Sequence, residues 1–323
     1  MSDPIMENTA PPAAPVSARK SFNRFFSLRT PVGRFLWFGL LLIALFAKPL
    51  ANLVLHAATS NLHSYILLVP VISLYLIYDR RDRLPRSYSS SPVLASFPFL
   101  VGLAALVSTM IFSTLSYNDH LTLVALSFVC LLTAGAFSFL GQEWMRAAAF
   151  PVFFLIFLIP MPDAMADSLE TGSKLASTEA ANLFFNLTGT PVLRDGTIFQ
   201  LPNILIQVGQ ECSGIRSSVV LLLTSLVAAN LFLKSTWRRA LLIGFVIPLG
   251  IIRNGFRVWV IGTLCIYFGP QMIHGIVHRR GGPLFFTLAL IPFFAVLWWL
   301  RRGDPAPEVR RQKSDHGGRR AES

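Results

Sequence analysis

What most constrains this chain is its repeated apolar runs near twenty residues long. They fall at about Phe35–Leu55, Tyr65–Tyr78, Val93–Phe112, Leu121–Leu140, Trp144–Ile159, Ile215–Leu233, Ala240–Phe268 and Pro283–Leu300. A helix of some twenty apolar residues spans the hydrocarbon core of a bilayer. A soluble chain of 323 residues would bury one large core and would not need such repeats. The first run exceeds the apolar core of a signal peptide and reads as a retained anchor. Lys48-Pro49 interrupts its outer half, and His56-Ala57-Ala58 is a cleavage-site lookalike. Tyr65–Tyr78 is short, and Trp144–Ile159 is short and contains Pro151, so both read as partial or tilted spans. The expected fold class is an all-α polytopic membrane protein with about eight transmembrane helices.

The formal net charge of +12 raises nucleic acid as a partner, but the placement of the charge argues against it. Basic residues gather between apolar runs and in the tails. One set of connections holds Arg80, Arg81, Arg83 and Arg86, then Arg146, then Lys234, Arg238 and Arg239. The alternate connections, His56–His63 and Ser113–His120, have neither Lys nor Arg, and Met161–Glu211 has only Lys174 and Arg194. Positive residues stay on the cytoplasmic side. Both termini are therefore expected inside and Met161–Glu211 outside; Arg279 and Arg280 break the rule in the last outer loop. The expected division is a basic cytoplasmic tail over 1–33, a transmembrane domain over 34–302 with 161–211 as an outer cap, and a second basic tail over 303–323. The three cysteines suggest no disulfide framework.

The outer segment has a pattern of its own. Met165, Leu169, Gly172, Ala176, Ala180, Leu183 and Leu187 recur at steps of three and four, one face of an amphipathic helix lying on the membrane surface. Pro191–Leu193 and Thr197–Leu201 flank Arg194-Asp195-Gly196, a hairpin signal, and Ile204–Val208 offers a third strand. This small cap runs directly into Glu211-Cys212-Ser213-Gly214.

Cys212 closes the outer segment and opens an apolar run. At a helix N-terminus the free amides and the macrodipole favour a thiolate, the nucleophilic form. Arg216 would lie one turn along on the same face. The plainer alternative is a small residue at a helix start. Arg257 sits inside the run Ala240–Phe268, roughly 27 Å along a helix starting near Arg239, close to the outer boundary. A charge within a span is a functional hypothesis by default; snorkelling to the surface is the alternative. Arg253, one turn deeper, reads as a strut to an acidic group or a carbonyl. His274 and His278 share the last outer loop. Two histidines at that spacing can hold zinc, but Gly275-Ile276-Val277 lacks the glutamate of the metalloprotease motif. No metal and no cofactor are expected.

Glu211-Cys212-Ser213-Gly214-Ile215-Arg216-Ser217, then Asn254-Gly255-Phe256-Arg257-Val258, then His278 followed by Gly282 and Phe285-Phe286, resemble the three signature blocks of the exosortase/archaeosortase family. His63-Ser64-Tyr65 with Leu68-Val69-Pro70 and Ser73-Leu74-Tyr75-Leu76 resembles its early membrane block, and Ile159-Pro160-Met161-Pro162 the end of its fifth span. The similarity runs in order from about Phe35 to Leu300. Glu211 departs from the small residue usual before the cysteine, and His274 offers a second histidine. The resemblance implies a membrane-embedded cysteine transpeptidase of the prokaryotic cell membrane with Cys212, Arg257 and His278 as catalytic residues. Glu211, Arg216, Arg253, Asn254 and His274 stand beside them as supporting or alternative candidates. It also implies membrane-anchored substrate proteins bearing a C-terminal sorting signal: a short motif, a transmembrane helix and a basic cluster. The rival classes are a transporter or channel with Arg253 and Arg257 as an anion site, a non-enzymatic scaffold for exopolysaccharide assembly, and an intramembrane metalloprotease.

Overall fold

A computed structural model of the chain describes residues 28, 30–60, 62–85, 87–112, 114–202, 204–209, 214–269, 271 and 276–303, those of 276–281 by their backbone alone. The chain forms two compact units, Met1–Ser168 and Leu169–Ser323, with the boundary inside a helix.

In the first unit, α1 (Pro31–Leu45) starts where Gly33 N donates to Thr30 Oγ1 at 3.1 Å. It gives way at Phe46 to α2 (Ala47–Thr59), bent from it by 73°. Pro49 explains the break. It has no N–H for the Leu45 carbonyl, and its ring would collide with that oxygen. Phe46 accordingly leaves helical geometry, at φ −93°, ψ 13°. A 3-10 turn (Ser64–Leu68) leads into α3 (Val69–Asp79), followed by α4 (Pro92–Ile111) and α5 (Tyr117–Phe139). α5 is the centre of this unit, with Leu121, Val124, Ala125, Phe128 and Val129 all buried. Beyond it Gly141, at φ 87°, pairs with Ser89; a Cβ there would fall on the Ser89 carbonyl. The break device then recurs. α6 (Gln142–Ala147) and α7 (Ala149–Phe154) meet at Ala148, at φ −96°, ψ 16°, three residues before Pro151 as Phe46 is before Pro49. A 3-10 turn (Leu155–Leu158) and Pro160-Met161-Pro162 then lead to α8 (Asp163–Leu187), with a 91° bend.

The second unit holds the C-terminal part of α8, a small sheet and three long helices. Strands β1 (Leu193–Asp195), β2 (Ile198–Leu201) and β3 (Ile204–Gln207) form an antiparallel meander with β2 central. Asp195 pairs with Ile198, so the hairpin loop is Gly196-Thr197 and Arg194-Asp195 lie within a strand, displaced from the turn read in the sequence. Gly196 has the positive φ, 57°, that the first position of such a loop favours. Arg194 is held in β1 by a forked bond to Glu179 of α8, at 2.8 and 2.6 Å. Phe199 and Leu201 pack with Ala181, Phe185, Val208 and with Val258 of the helix described next.

α9 (Ile215–Phe232), α10 (Thr236–Phe268) and α11 (Ile276–Arg302) form a bundle around Leu221, Leu242, Val246, Ala289, Phe293 and Leu297. Pro248 lies inside α10 without ending it. At one end Arg238 Nη1 donates to Leu300 O at 3.1 Å and Arg239 Nε to Leu233 O at 2.9 Å. Each guanidinium satisfies carbonyls at a helix C-terminus, which ties the three helices at their basic end.

The amphipathic helix forms as expected, but its apolar stripe is not its protein-facing side. Met165, Leu169, Leu183 and Leu187 are exposed, while Ser177, Thr178, Ala181 and Phe185 are buried. Among the described residues α4, α5, α9, α10 and Gly282–Arg302 are long and apolar enough to cross a membrane; counting α1–α2 and α7–α8 as one bent span each raises five candidates to seven. The expectation of about eight is compatible with this range: Trp144–Ile159 enters through the bent α7–α8 pair, and Ser64–Asp79, apolar but short, is the remaining run.

Candidate active site

The end of the bundle opposite the arginine clamps carries the buried charge. Gly214 is the N-cap of α9 and lies in the left-handed region at φ 68°, ψ 6°. A Cβ at Gly214 would come 2.7 Å from Asn254 Oδ1, so the site requires glycine for both conformation and space. Its carbonyl oxygen accepts from Ser218 N at 3.0 Å, Ser217 Oγ at 3.1 Å and Arg253 Nη2 at 3.1 Å. Arg253 Nη2 also donates to Ser218 Oγ at 3.4 Å. Gly250, one turn before, leaves the room: a Cβ there would meet Ser218 Oγ at 2.9 Å. Arg253 is 7% exposed and Asn254 2%. Among the described residues Arg253 Nη1 has no hydrogen-bond partner.

Gly214 of the cysteine block is therefore bonded to Arg253, the residue immediately before the arginine block, 39 positions away. Arg253 is the strut to a carbonyl that its position suggested. Arg257 lies one turn on, half-buried. Beside it Phe256 packs on Phe184 and Trp259, with ring centroids 5.8 and 5.4 Å away, and on Phe285 of α11 at 6.2 Å. His278 is in the first turn of α11, two turns before Phe285 and about 10 Å along the axis. Glu211, Cys212 and His274 lie outside the described residues. The described part of this helix, α9, starts at Ile215 after a left-handed Gly214. Arg216 is exposed on the first turn of α9.

A second polar cluster, in the first unit, was not read from the sequence. Ser116 Oγ and Asn118 Nδ2 donate to Asp163 at 2.5 and 2.8 Å, and Asn118 Nδ2 also donates to Met161 O at 2.8 Å. Asp163 N donates to Asp119 Oδ1 at 3.0 Å. His63, 5% exposed, lies with its ring 5.3 Å from that of His56, and its Nδ1 is 3.2 Å from Ser60 Oγ. Burial, then the charge of His56, holds the His63 pKa below its ordinary 6.5; the Met161 carbonyl and Asp163 act the other way. The only available signal was the polar run Ser116–Asp119, whose partners lie more than 40 residues away. An apolar cavity of about 520 Å³ in this unit, lined by Phe38, Leu42, Phe99, Leu131 and Phe139, has no titratable lining residue and is no site for this chemistry.

Several bilayer-length helices, a capping sheet and a buried arginine seated on a helix N-cap define a polytopic membrane protein with a charged site at one end of a helical bundle. A family model described as transmembrane exosortase matches residues 55–295, well over half of the chain. The chain belongs to the transmembrane exosortase family. Comparison with curated proteins and with solved structures returns no match.

Proposed function

We propose that this protein cleaves the C-terminal sorting signal of exported, membrane-anchored proteins at the outer face of the membrane and transfers the new carboxyl end to an acceptor through a Cys212 acyl-enzyme. The observation that supports this reading is the Arg253–Gly214 bond, which ties the cysteine block to the residue immediately before the arginine block. The Cys212 thiolate attacks the scissile carbonyl, forming the C–S bond and an oxyanion. Arg257, charged at any relevant pH, stabilises that oxyanion, as preorganised donors do. The C–N bond then breaks as His278 gives its proton to the leaving amine, and the imidazole next takes a proton from the incoming amine or hydroxyl. Water as acceptor would make the outcome proteolysis. Lys/Arg asymmetry supports cytoplasmic tails over 1–33 and 303–323 and an outer cap over 161–211, and the exposed apolar stripe of α8 suits a helix laid on lipid. The prokaryotic inner membrane is the site of action.

The test is co-expression with a membrane-anchored protein carrying a motif, a transmembrane helix and a basic C-terminal cluster. Mass spectrometry should find the tail removed by wild type and retained with Cys212→Ser, a loss of about a thousandfold or more. A serine hydroxyl cannot be ionised near neutral pH by a helix N-terminus, so full processing by Cys212→Ser returns the chain to the transporter or scaffold class. A tag near Asn186 should be labelled on intact cells; labelling only after permeabilisation would reverse the orientation.

A further inference from the structure

We propose that the apolar cavity between α1, α4 and α5 is a lipid site: it takes one acyl chain of an anionic phospholipid, whose phosphate is held by Arg34 and the first turn of α4. The site lies in the first unit and is independent of the peptide-bond chemistry above. Protein interiors are close-packed and leave few voids larger than a water molecule. A cavity of about 520 Å³ lined almost wholly by carbon is a large exception. Such a cavity stays dry and admits apolar guests. Its walls do not close on it, because α1 already touches α5: a Cβ at Gly135 would fall on the Phe38 ring, and Phe38 packs on Phe139 with ring centroids 5.7 Å apart. The lining runs from Pro92 to Phe99 along α4, about 10 Å of helix. That is about a third of the hydrocarbon depth of a bilayer. The rim is on the lipid side, since Pro92, Ser96 and Phe99 are exposed and α4 is the least buried of the single-helix candidate spans. Ser96 Oγ is turned back onto Val93 O at 2.7 Å, which leaves that wall apolar.

The charge at the mouth selects the headgroup. The cavity gathers the start of α1, the start of α4 and the end of α5, so it opens at one membrane boundary. Arg34 is one turn before Phe38 on the same face of α1. It is exposed and forms no ion pair among the described residues. A helical side chain leans towards its own N-terminus, which carries the guanidinium to phosphate level. The start of α4 adds a second attraction. Its N-cap, Ser91, makes no side-chain bond to its own helix; the Ser91 hydroxyl accepts from Gln142 N at 3.3 Å instead. The first-turn amides are thus left uncapped by that side chain, and no acidic residue stands among them. Glu143 is not part of the lining and accepts from Ser87 Oγ at 3.2 Å.

The experiment uses full-length protein in detergent, exchanged into equal amounts of phosphatidylglycerol and phosphatidylethanolamine with identical chains and read by native mass spectrometry. Wild type should retain one lipid and favour phosphatidylglycerol about fivefold, the scale of one basic residue. Ser96→Trp sets a ring over the exposed wall and should lower retention of both lipids about fivefold or more. Val107→Trp, exposed on the same helix but outside the cavity, should retain lipid as wild type does. Arg34→Gln should keep a lipid but bring the two headgroups near parity. Undiminished retention by Ser96→Trp, or equal loss in Val107→Trp, overturns the cavity as the site. A wild type without preference, or an Arg34→Gln protein that keeps it, overturns the anionic headgroup. If Ser96→Trp does not fold, Arg34→Gln decides, because that side chain is exposed and its replacement leaves the packing intact.

Discussion

The two units each bury a polar cluster, and the clusters differ in kind. In the first, Ser60, His63, Ser116, Asn118 and Asp163 exchange hydrogen bonds around the bend that leads into α8, and burial holds His63 towards its neutral form. In the second, a permanent cation sits 7% exposed on the carbonyl of a helix N-cap. His56 Nε2, His63 Nε2 and Arg253 Nη1 all lack a hydrogen-bond partner among the described residues. A neutral imidazole bears that at modest cost; a guanidinium does not. The first cluster therefore reads as a knot that holds three segments together. The second reads as a site kept charged at the expense of stability, the signature expected of chemistry.

The contrast predicts that changes in the second unit reduce turnover and changes in the first reduce stability. The largest effect should come from Arg257→Lys, which ought to insert normally and lose roughly a hundredfold in processing rate, the scale of one oxyanion donor. Equal turnover by the lysine variant would remove Arg257 from that role. Gly214→Ala should come next. A side chain there meets both the positive φ and Asn254, a strain of about 1–3 kcal/mol, so the melting temperature and processing should fall together. If the alanine variant keeps full processing, the left-handed turn is not needed for chemistry.

In the first unit, Asn118→Ala removes donors to Met161 O and Asp163 Oδ1. It should cost about 1–3 kcal/mol of stability while leaving processing per folded molecule unchanged. A processing defect at full stability would give the knot a functional part and blur the comparison.

The smallest effect concerns pH. The His63 pKa is lowered in the fold, so the unfolded chain takes up its proton first as pH falls. His63 therefore contributes its full stability above the unfolded value of about 6.5. That contribution declines as pH drops below 6.5 towards the lower folded value. Thermal melts of wild type should weaken over that interval and melts of His63→Asn should weaken less; parallel curves would count against a neutral buried His63.

Much of this was legible along the chain. The apolar runs announced the membrane class, and Pro49 and Pro151 stood where the helices break, because a missing N–H and a ring clash act on a residue four positions earlier whatever surrounds them. The meander was legible too, although Asp195 joined β1 once Arg194 bonded Glu179. The faces of α8 were not. Periodicity found its apolar stripe, but in a membrane protein apolar residues can face lipid: Met165, Leu169, Leu183 and Leu187 are exposed, while Ala180 of the stripe joins Ala181 on the side that Gly255 approaches.

The sequence by itself determined that the chain is a helical membrane protein and the order of its family blocks. These follow from local composition, proline chemistry and spacing. Only the tertiary structure decided that Arg253 rests on Gly214, that Pro248 stays inside an unbroken α10 while Pro49 and Pro151 follow breaks, and that Asp163 closes a knot with Ser116 and Asn118. Each depends on which elements meet: a buried arginine is identified by the carbonyl it reaches, and an internal proline is retained where neighbouring helices pack around it. No spacing within one segment contains that information.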